Sequence, residues 1–180
     1  MRKMKKRLTL IFVLALILIV AVPTMALAAE RYVNKTTVIY ADGDMYDTNG
    51  NYYFININQN KDYADVMLGG SINGVWIDGY GTVSGQVLMA DGTASFIVDT
   101  YDGYGNYVGA IPVNVNFIAN SDPTTEKYRM SDKFKDWSYS FKGRAIITYY
   151  SITGSINGIT VDGYGALANI KQRDVTTIKK

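Results

Sequence analysis

Apolar and polar residues alternate with a period of two along much of the chain after residue 50. Residues 55–58 read Ile-Asn-Ile-Asn, and residues 113–117 read Val-Asn-Val-Asn-Phe. This period is typical of β-strands that bury one face and expose the other. The pattern predicts an all-β domain of antiparallel strands.

Short turn signals separate these runs. Asn-Gly or Asp-Gly stands at residues 49–50, 73–74, 91–92, 102–103 and 157–158. Glycine supplies the positive φ that tight hairpin turns require, so the strands are predicted to form a meander. One predicted hairpin joins residues 82–89 to residues 93–98. Residues 124–134 follow a capping signal with a proline, which predicts a short helix or a loop there.

A segment of twelve residues occurs twice. Residues 70–81 recur as residues 154–165 with nine identities, at a constant offset of 84 (154 − 70). This density of identity indicates a duplicated β unit. Its repeated structural residues are Asn73, Gly74, Asp78, Gly79 and Gly81 in the first copy and Asn157, Gly158, Asp162, Gly163 and Gly165 in the second.

The glycines of the repeat bear on the architecture. A straight strand over residues 75–89 would be about 50 Å long at about 3.3 Å per residue, too long for a domain of this size. Glycines at alternate positions therefore indicate bends. We expect a meander of about 8–10 strands that closes into a barrel, calycin-like in shape, with a pseudo-twofold axis relating the repeats. A two-sheet β-sandwich is the alternative.

Residues 1–29 have a different character. Five basic residues lie within residues 1–7, an apolar run follows over residues 8–22, and residues 26–28 read Ala-Leu-Ala. This order is typical of a secretory signal peptide, so residues 30–180 are predicted to form one secreted or extracellular domain at a bacterial cell envelope. The alternative is an uncleaved membrane anchor, because the run approaches the length of a membrane span.

Removing this segment changes the net charge. The chain has 18 basic and 16 acidic residues, but five bases leave with residues 1–29, so 13 bases remain against 16 acids, a balance of −3. The remaining bases look scattered in the sequence, which predicts no basic cluster and no nucleic-acid partner. The chain has no histidine and no cysteine, so it lacks an imidazole base, a thiolate and an ordinary zinc site. We expect no enzyme activity and no cofactor.

Aromatic residues are the leading candidates for ligand binding. The chain has 15 tyrosines. Exposed rings in turns or on polar strand faces can stack on sugars or on apolar ligands. The candidates are Trp76, Tyr80, Tyr104 and Tyr164. Tyrosine is also a favoured strand residue that needs no ligand, which is the alternative interpretation.

Carboxylates offer two further hypotheses. Asp78 and Asp162 occupy the same place in the two repeats, where they could act as a glycosidase pair or brace nearby backbone N–H groups. Residues 42–51 contain oxygen ligands that could suit calcium, namely Asp42, Asp44, Asp47 and Asn49. Their spacing does not match an EF-hand, and hairpin turns explain the same residues, so no metal is predicted.

These observations predict a non-enzymatic binding protein that holds a small lipophilic or saccharide ligand in the barrel interior or at a tyrosine-lined mouth. Two alternatives stay open. One is a structural or protein-interaction component of the cell envelope or extracellular matrix. The other is a carboxylate-based glycosidase.

Overall fold

The computed structural model describes residues 31–178. The predicted signal peptide lies outside these residues. Within residues 31–178 no helix is long and apolar enough to cross a membrane.

Nine antiparallel strands form one sheet, which confirms the all-β prediction. They are β1 (Arg31–Asp47), β2 (Tyr52–Gln59), β3 (Tyr63–Ile72), β4 (Val75–Ser84), β5 (Thr93–Asp102), β6 (Tyr107–Ala119), β7 (Thr124–Lys133), β8 (Trp137–Ile156) and β9 (Ile159–Ile178). The helix or loop predicted for residues 124–134 is wrong. This segment forms β7, because ten consecutive pairs with β8 outweigh the local capping signal.

The pairing order closes into a cycle. Consecutive strands pair from β1 to β6, β6 then pairs with β8, and β9 joins β8 to β1. We call these eight strands the ring. β7 lies outside it and pairs with residues 138–147 of β8, whereas residues 150–156 of β8 pair with β6.

The inner face of the ring carries the hydrophobic core. In β4, Ile77 and Gly79 are buried while Trp76 and Tyr80 are exposed, the alternation expected of a strand with one buried face. The largest inward side chains are less than 2% exposed: Met45, Tyr53, Ile55, Ile57, Leu68, Ile77, Ile152 and Ile156. These side chains pack into one cluster that fills the inside of the ring.

The repeated Asn-Gly turns have the predicted backbone. Gly74 and Gly158 have φ of 78° and 77°, and the asparagines before them have φ of 51° and 52°. Two successive residues with positive φ define the tight turn that suits an antiparallel hairpin. The prediction of matching turns in the two repeats is confirmed.

The hairpin predicted over residues 82–98 forms only in part. β4 ends at Ser84, and a single bridge joins Leu88 to Ala94 of β5. Met89 N–H donates to the Thr93 carbonyl at 2.8 Å and Ser95 N–H to the Val87 carbonyl at 3.1 Å, and the side chain of Gln59 binds other backbone groups of the same segment. Its Oε1 accepts the backbone N–H groups of Val87 and Leu88 at 2.8 and 2.9 Å, and its Nε2 donates to the Leu88 carbonyl at 2.9 Å.

A second internal correspondence accompanies the first. Residues 46–52 and 101–107 both read Tyr-Asp-x-x-Gly-Asn-Tyr, with an offset of 55 (101 − 46), and each forms the turn of a hairpin. Asp47 lies opposite Val161, and its counterpart Asp102 lies opposite Ile77, the counterpart of Val161. The ring therefore consists of two related halves, β1–β4 and β5, β6, β8 and β9.

Three strands continue beyond the ring. They are residues 31–38 of β1, 137–147 of β8 and 169–178 of β9. In this part β9 lies between β1 and β8, and β8 also pairs with β7. We call this four-stranded part the extension. The three ladders have no register shift, so the inner face of the ring continues as one face of the extension.

Candidate functional site

Four aromatic side chains follow one another on the outer face of the eight-stranded ring. Their centroids are 5.4 Å apart for Tyr46 and Tyr52, 6.2 Å for Tyr52 and Phe54, and 6.0 Å for Phe54 and Trp76. Tyr46 is 55% exposed and Trp76 is 48% exposed. We call these four residues the aromatic strip. It crosses from β1 to β4 close to the turn at residues 47–51.

Local sequence explains the strip. The turn places Tyr46 directly opposite Tyr52, and the strand period puts Phe54 on the same face. Gly69 lies opposite Phe54 in β3, where a Cβ atom would collide with the phenyl ring. Because glycine stands there, Phe54 lies across β3 and reaches Trp76 on β4.

Asp47 holds the turn under the strip. Its Oδ1 accepts the backbone N–H groups of Asn49 at 2.8 Å and Asn51 at 2.9 Å, and its Oδ2 accepts Nδ2 of Asn51 at 2.8 Å. Burial alone would raise the pKa of Asp47, but these hydrogen bonds outweigh it and lower the pKa. The carboxylate is a structural part of the turn.

Asp44 is the acidic partner of the strip. The Tyr52 hydroxyl donates to Asp44 Oδ1 at 2.6 Å. Burial and this carboxylate raise the pKa of Tyr52, so its hydroxyl stays protonated and remains a donor. The contact fixes the Tyr52 ring and leaves an acceptor group at the edge of the strip.

Asp42 lies two residues before Asp44 on the same strand. Its carboxylate accepts the backbone N–H of Ala166 at 3.1 Å. Burial raises the pKa of Asp42, and the nearby charge of Asp44 adds to that increase.

The second half of the ring repeats part of this arrangement. Tyr101 and Tyr107 have centroids 5.7 Å apart, and the Tyr107 hydroxyl donates to Asp99 at 3.3 Å. These are the counterparts of Tyr46, Tyr52 and Asp44. In sequence, Gly109 and Thr160 correspond to Phe54 and Trp76. A register shift at Thr100 and Tyr101 then places Ala110 opposite Asp99, where Phe54 lies opposite Asp44 in the first half, so this tyrosine pair does not extend into a strip.

The four predicted ligand-binding residues are not brought together. Trp76 belongs to the strip. Tyr80 is 68% exposed on β4, Tyr104 is 94% exposed in the turn between β5 and β6, and Tyr164 is 73% exposed on β9. In the described part of the chain no ring contact joins these three residues to the strip. The sequence also indicates Tyr46 and Tyr52 as tyrosines beside a predicted turn that could stack on sugars, but they are not among the four leading candidates, and Phe54 was not predicted.

The repeated aspartates do not form a pair. Asp78 and Asp162 lie on β4 and β9, separated by four strand-to-strand steps, roughly 19 Å along the sheet. A glycosidase pair needs about 5 to 9.5 Å. Neither carboxylate accepts a hydrogen bond from residues 31–178, so the hypothesis that they brace the backbone is wrong. Asp47 and Asp102 perform that role.

The calcium candidates are also engaged separately. Asp42 binds Ala166, Asp44 binds Tyr52, and Asp47 binds its own turn, which includes the backbone of Asn49. Within residues 31–178 no group of three or more acidic side chains is arranged to hold a metal ion.

The expectation that the basic residues stay scattered is wrong. One face of the extension, the continuation of the inner face of the ring, collects nine of the eleven basic residues within residues 31–178. They are Arg31, Lys35, Lys127, Arg129, Lys133, Lys142, Arg144, Lys171 and Arg173. We call this surface the basic face. Residues distant in sequence meet there because four strands pair in register.

Comparison of the chain with protein-family models, with curated proteins and with solved structures gave no match.

Proposed function

We propose that this chain is a secreted, non-enzymatic protein that binds a saccharide on its aromatic strip. The observation that carries the proposal is the unbroken series of ring contacts from Tyr46 to Trp76, half exposed and flanked by Asp44. In this proposal the ring is a closed barrel that serves as a rigid support. The signal-like order of residues 1–29 supports export.

The chemistry of the strip suits sugars. Aromatic rings offer flat apolar faces, and tyrosine adds a polar tip. A sugar ring has apolar C–H faces and hydroxyl edges. Stacking on Trp76 and Tyr46 would cover such faces, while Asp44 would accept hydroxyl protons at the edge.

The packing of the ring favours an external site over an internal one. Met45, Tyr53 and Ile152 are among the inward side chains that are 0 or 1% exposed, and they belong to one continuous cluster. A lipophilic ligand inside the ring would have to displace this cluster, at a cost in stability. The separation of Asp78 from Asp162 favours binding over hydrolysis.

The test is the binding of neutral polysaccharides. Purified protein is run in native gels that contain soluble β-glucan, xylan, mannan or glycol chitin, and retardation measures affinity. We expect at least one polysaccharide to retard the wild type. We expect Trp76→Ala to weaken that binding about tenfold, because loss of an aromatic side chain that anchors a ligand typically costs at least about 1.4 kcal/mol.

Trp137→Ala is the matched control. Trp137 is 41% exposed and stacks on Phe134 with centroids 4.1 Å apart, but it lies at the turn between β7 and β8. Its loss should leave affinity unchanged. Equal binding by Trp76→Ala and wild type would contradict the proposal. Release of reducing sugar would favour the glycosidase alternative, and no retardation in any gel would favour a structural or protein-interaction role.

A further inference from the structure

The basic face consists of two rows of cations that run across the strands. In the first row Arg129, Lys142, Arg173 and Lys35 are paired directly from strand to strand. In the second row Lys127, Arg144 and Lys171 are paired in the same way. The first row spans three strand-to-strand steps, about 14 Å. The face is therefore a band of positive charge.

Within residues 31–178 no acidic side chain lies on this band. The three acidic residues on the strands of the extension, Glu126, Asp132 and Asp174, pair with Ala145, Tyr139 and Phe141 and so project to the opposite face. The only ion pair within residues 31–178 joins Lys61 to Asp62, away from the extension. Five pairs of like charges thus lie directly opposite one another, an arrangement that is unfavourable in a sheet.

The band also contains two hollows and a buried hydrogen-bond donor that lacks an acceptor within residues 31–178. A hollow of about 570 Å³ opens beside Lys35, Lys127 and Lys171, and another of about 220 Å³ opens beside Arg31 and Arg129. Arg173 contacts both hollows, and its Nε is buried without an acceptor in the described part of the chain. A buried guanidinium donor without a partner is costly, and an anion would satisfy it.

We propose that the basic face binds an anionic polysaccharide, whose chain lies along the two rows of cations. A linear polyanion has the shape and the charge to lie along the band, and its acid groups would lie between the paired cations and neutralise their repulsion. The exposed non-basic residues of the face are small or aliphatic, such as Val33 and Ser131, so it has no aromatic platform for nucleobases. A recessed band also accepts a chain better than it accepts the flat surface of a bilayer.

The experiment compares two probes with the same glucose backbone. Binding of purified protein to fluorescein-labelled dextran sulfate and to fluorescein-labelled neutral dextran is followed by fluorescence anisotropy. We expect binding to dextran sulfate only, with affinity falling about tenfold or more between 50 and 200 mM NaCl, because several ionic contacts are screened together. Lys35→Gln/Lys142→Gln, a double variant of exposed side chains, should weaken binding at least tenfold.

Lys61→Gln is the matched control and should bind as the wild type does. The double variant should unfold at the wild-type temperature or above it, because it removes like-charge contacts, so loss of binding cannot come from misfolding. Equal binding of dextran sulfate by the double variant and the wild type would overturn the proposal. Tighter binding of a DNA duplex or of phosphatidylglycerol vesicles than of dextran sulfate would overturn it as well. Trp76→Ala should have no effect here, which separates this site from the aromatic strip.

Discussion

The two halves of the ring share their turns and differ in how their strands are paired next to those turns. In β1–β4, Tyr53, two residues after Asn51, lies opposite Gly70. In the other half the counterpart of Gly70, Gly154, lies opposite Val115, nine residues after Asn106. The register of β6 is thus displaced by seven residues (9 − 2). The same turn sequence supports two different registers.

This displacement explains why only one half carries a strip. In the first half β3 and β4 continue the surface beside Tyr52, so Phe54 crosses Gly69 to reach Trp76. In the second half residues 107–112 of β6 pair with β5 alone among the described strands, and β8 joins only from Val113 onward. Tyr101 and Tyr107 therefore contact each other without a further platform. Surface chemistry depends on register as much as on the repeated residues.

The largest expected effect concerns the last glycine of the repeat. β9 pairs with β1 over 17 positions, but β4 pairs with β5 over three. The neighbouring strands of the two copies therefore differ after Gly79 and Gly163. A Cβ atom at Gly165 would collide with the carbonyl oxygen of Asp42, whereas one at Gly81 would lie 3.6 Å from Val66. We expect Gly165→Ala to cost about 3 kcal/mol and Gly81→Ala to change stability by less than about 0.5 kcal/mol.

Urea denaturation measures both changes. Gly79→Ala and Gly163→Ala serve as a shared control, because a Cβ atom at either position would collide with the backbone of the neighbouring strand, at Asp99 or Asp44. Both should be strongly destabilising. Equal free energies of unfolding for Gly165→Ala and Gly81→Ala would show that the strands next to the two copies are not paired differently.

A smaller effect is expected where the halves agree. Gly74 and Gly158 have positive φ, and a Cβ atom at either would meet no atom within 4 Å. Replacement by valine should therefore act through the backbone alone and cost about 1 kcal/mol or more at each turn, by similar amounts. Thermal unfolding of Gly74→Val and Gly158→Val checks this. A cost at one turn without the other would break the equivalence of the two repeats.

Local features of this fold could be predicted from sequence, and pairings between distant segments could not. The Asn-Gly turns and the inward Ile77 follow from local backbone chemistry and strand period. The displaced register of β6 and the strand conformation of residues 124–133 depend on distant partners. The basic face has a signal in the sequence, because three segments each carry two bases two residues apart: Lys127 and Arg129, Lys142 and Arg144, and Lys171 and Arg173. Only the register shows that these pairs share one surface.

The smallest expected effect distinguishes the two Tyr-Asp-x-x-Gly-Asn-Tyr turns. Asp47 is buried, and in addition to the turn it accepts the Tyr53 hydroxyl at 3.3 Å. Asp102 is more exposed and accepts the N–H groups of Tyr104 and Asn106 and the Asn106 side chain, each at 2.9 Å. Asp47→Asn and Asp102→Asn should each lower the melting temperature at pH 7, with the larger decrease at Asp47. An uncharged amide is a weaker acceptor, and burial strengthens each contact that is lost.

The difference in melting temperature between the wild type and each Asn variant should depend on pH. At Asp47, desolvation acts to raise the pKa of the carboxyl, but the hydrogen bonds that the carboxylate accepts outweigh it and lower the pKa. At Asp102, hydrogen bonds also lower the pKa of the carboxyl, and the bond from the Asn106 side chain contributes most. A group whose pKa is lower in the folded state stabilises the fold above its unfolded pKa, about 4, and loses that contribution as the pH falls through the folded value. The wild type should therefore exceed each Asn variant in melting temperature at neutral pH, and the difference should shrink as the pH falls below about 4. Melting curves between pH 7 and pH 2 test this, and a difference that grows on acidification would show that the carboxylates do not hold the turns in their charged form.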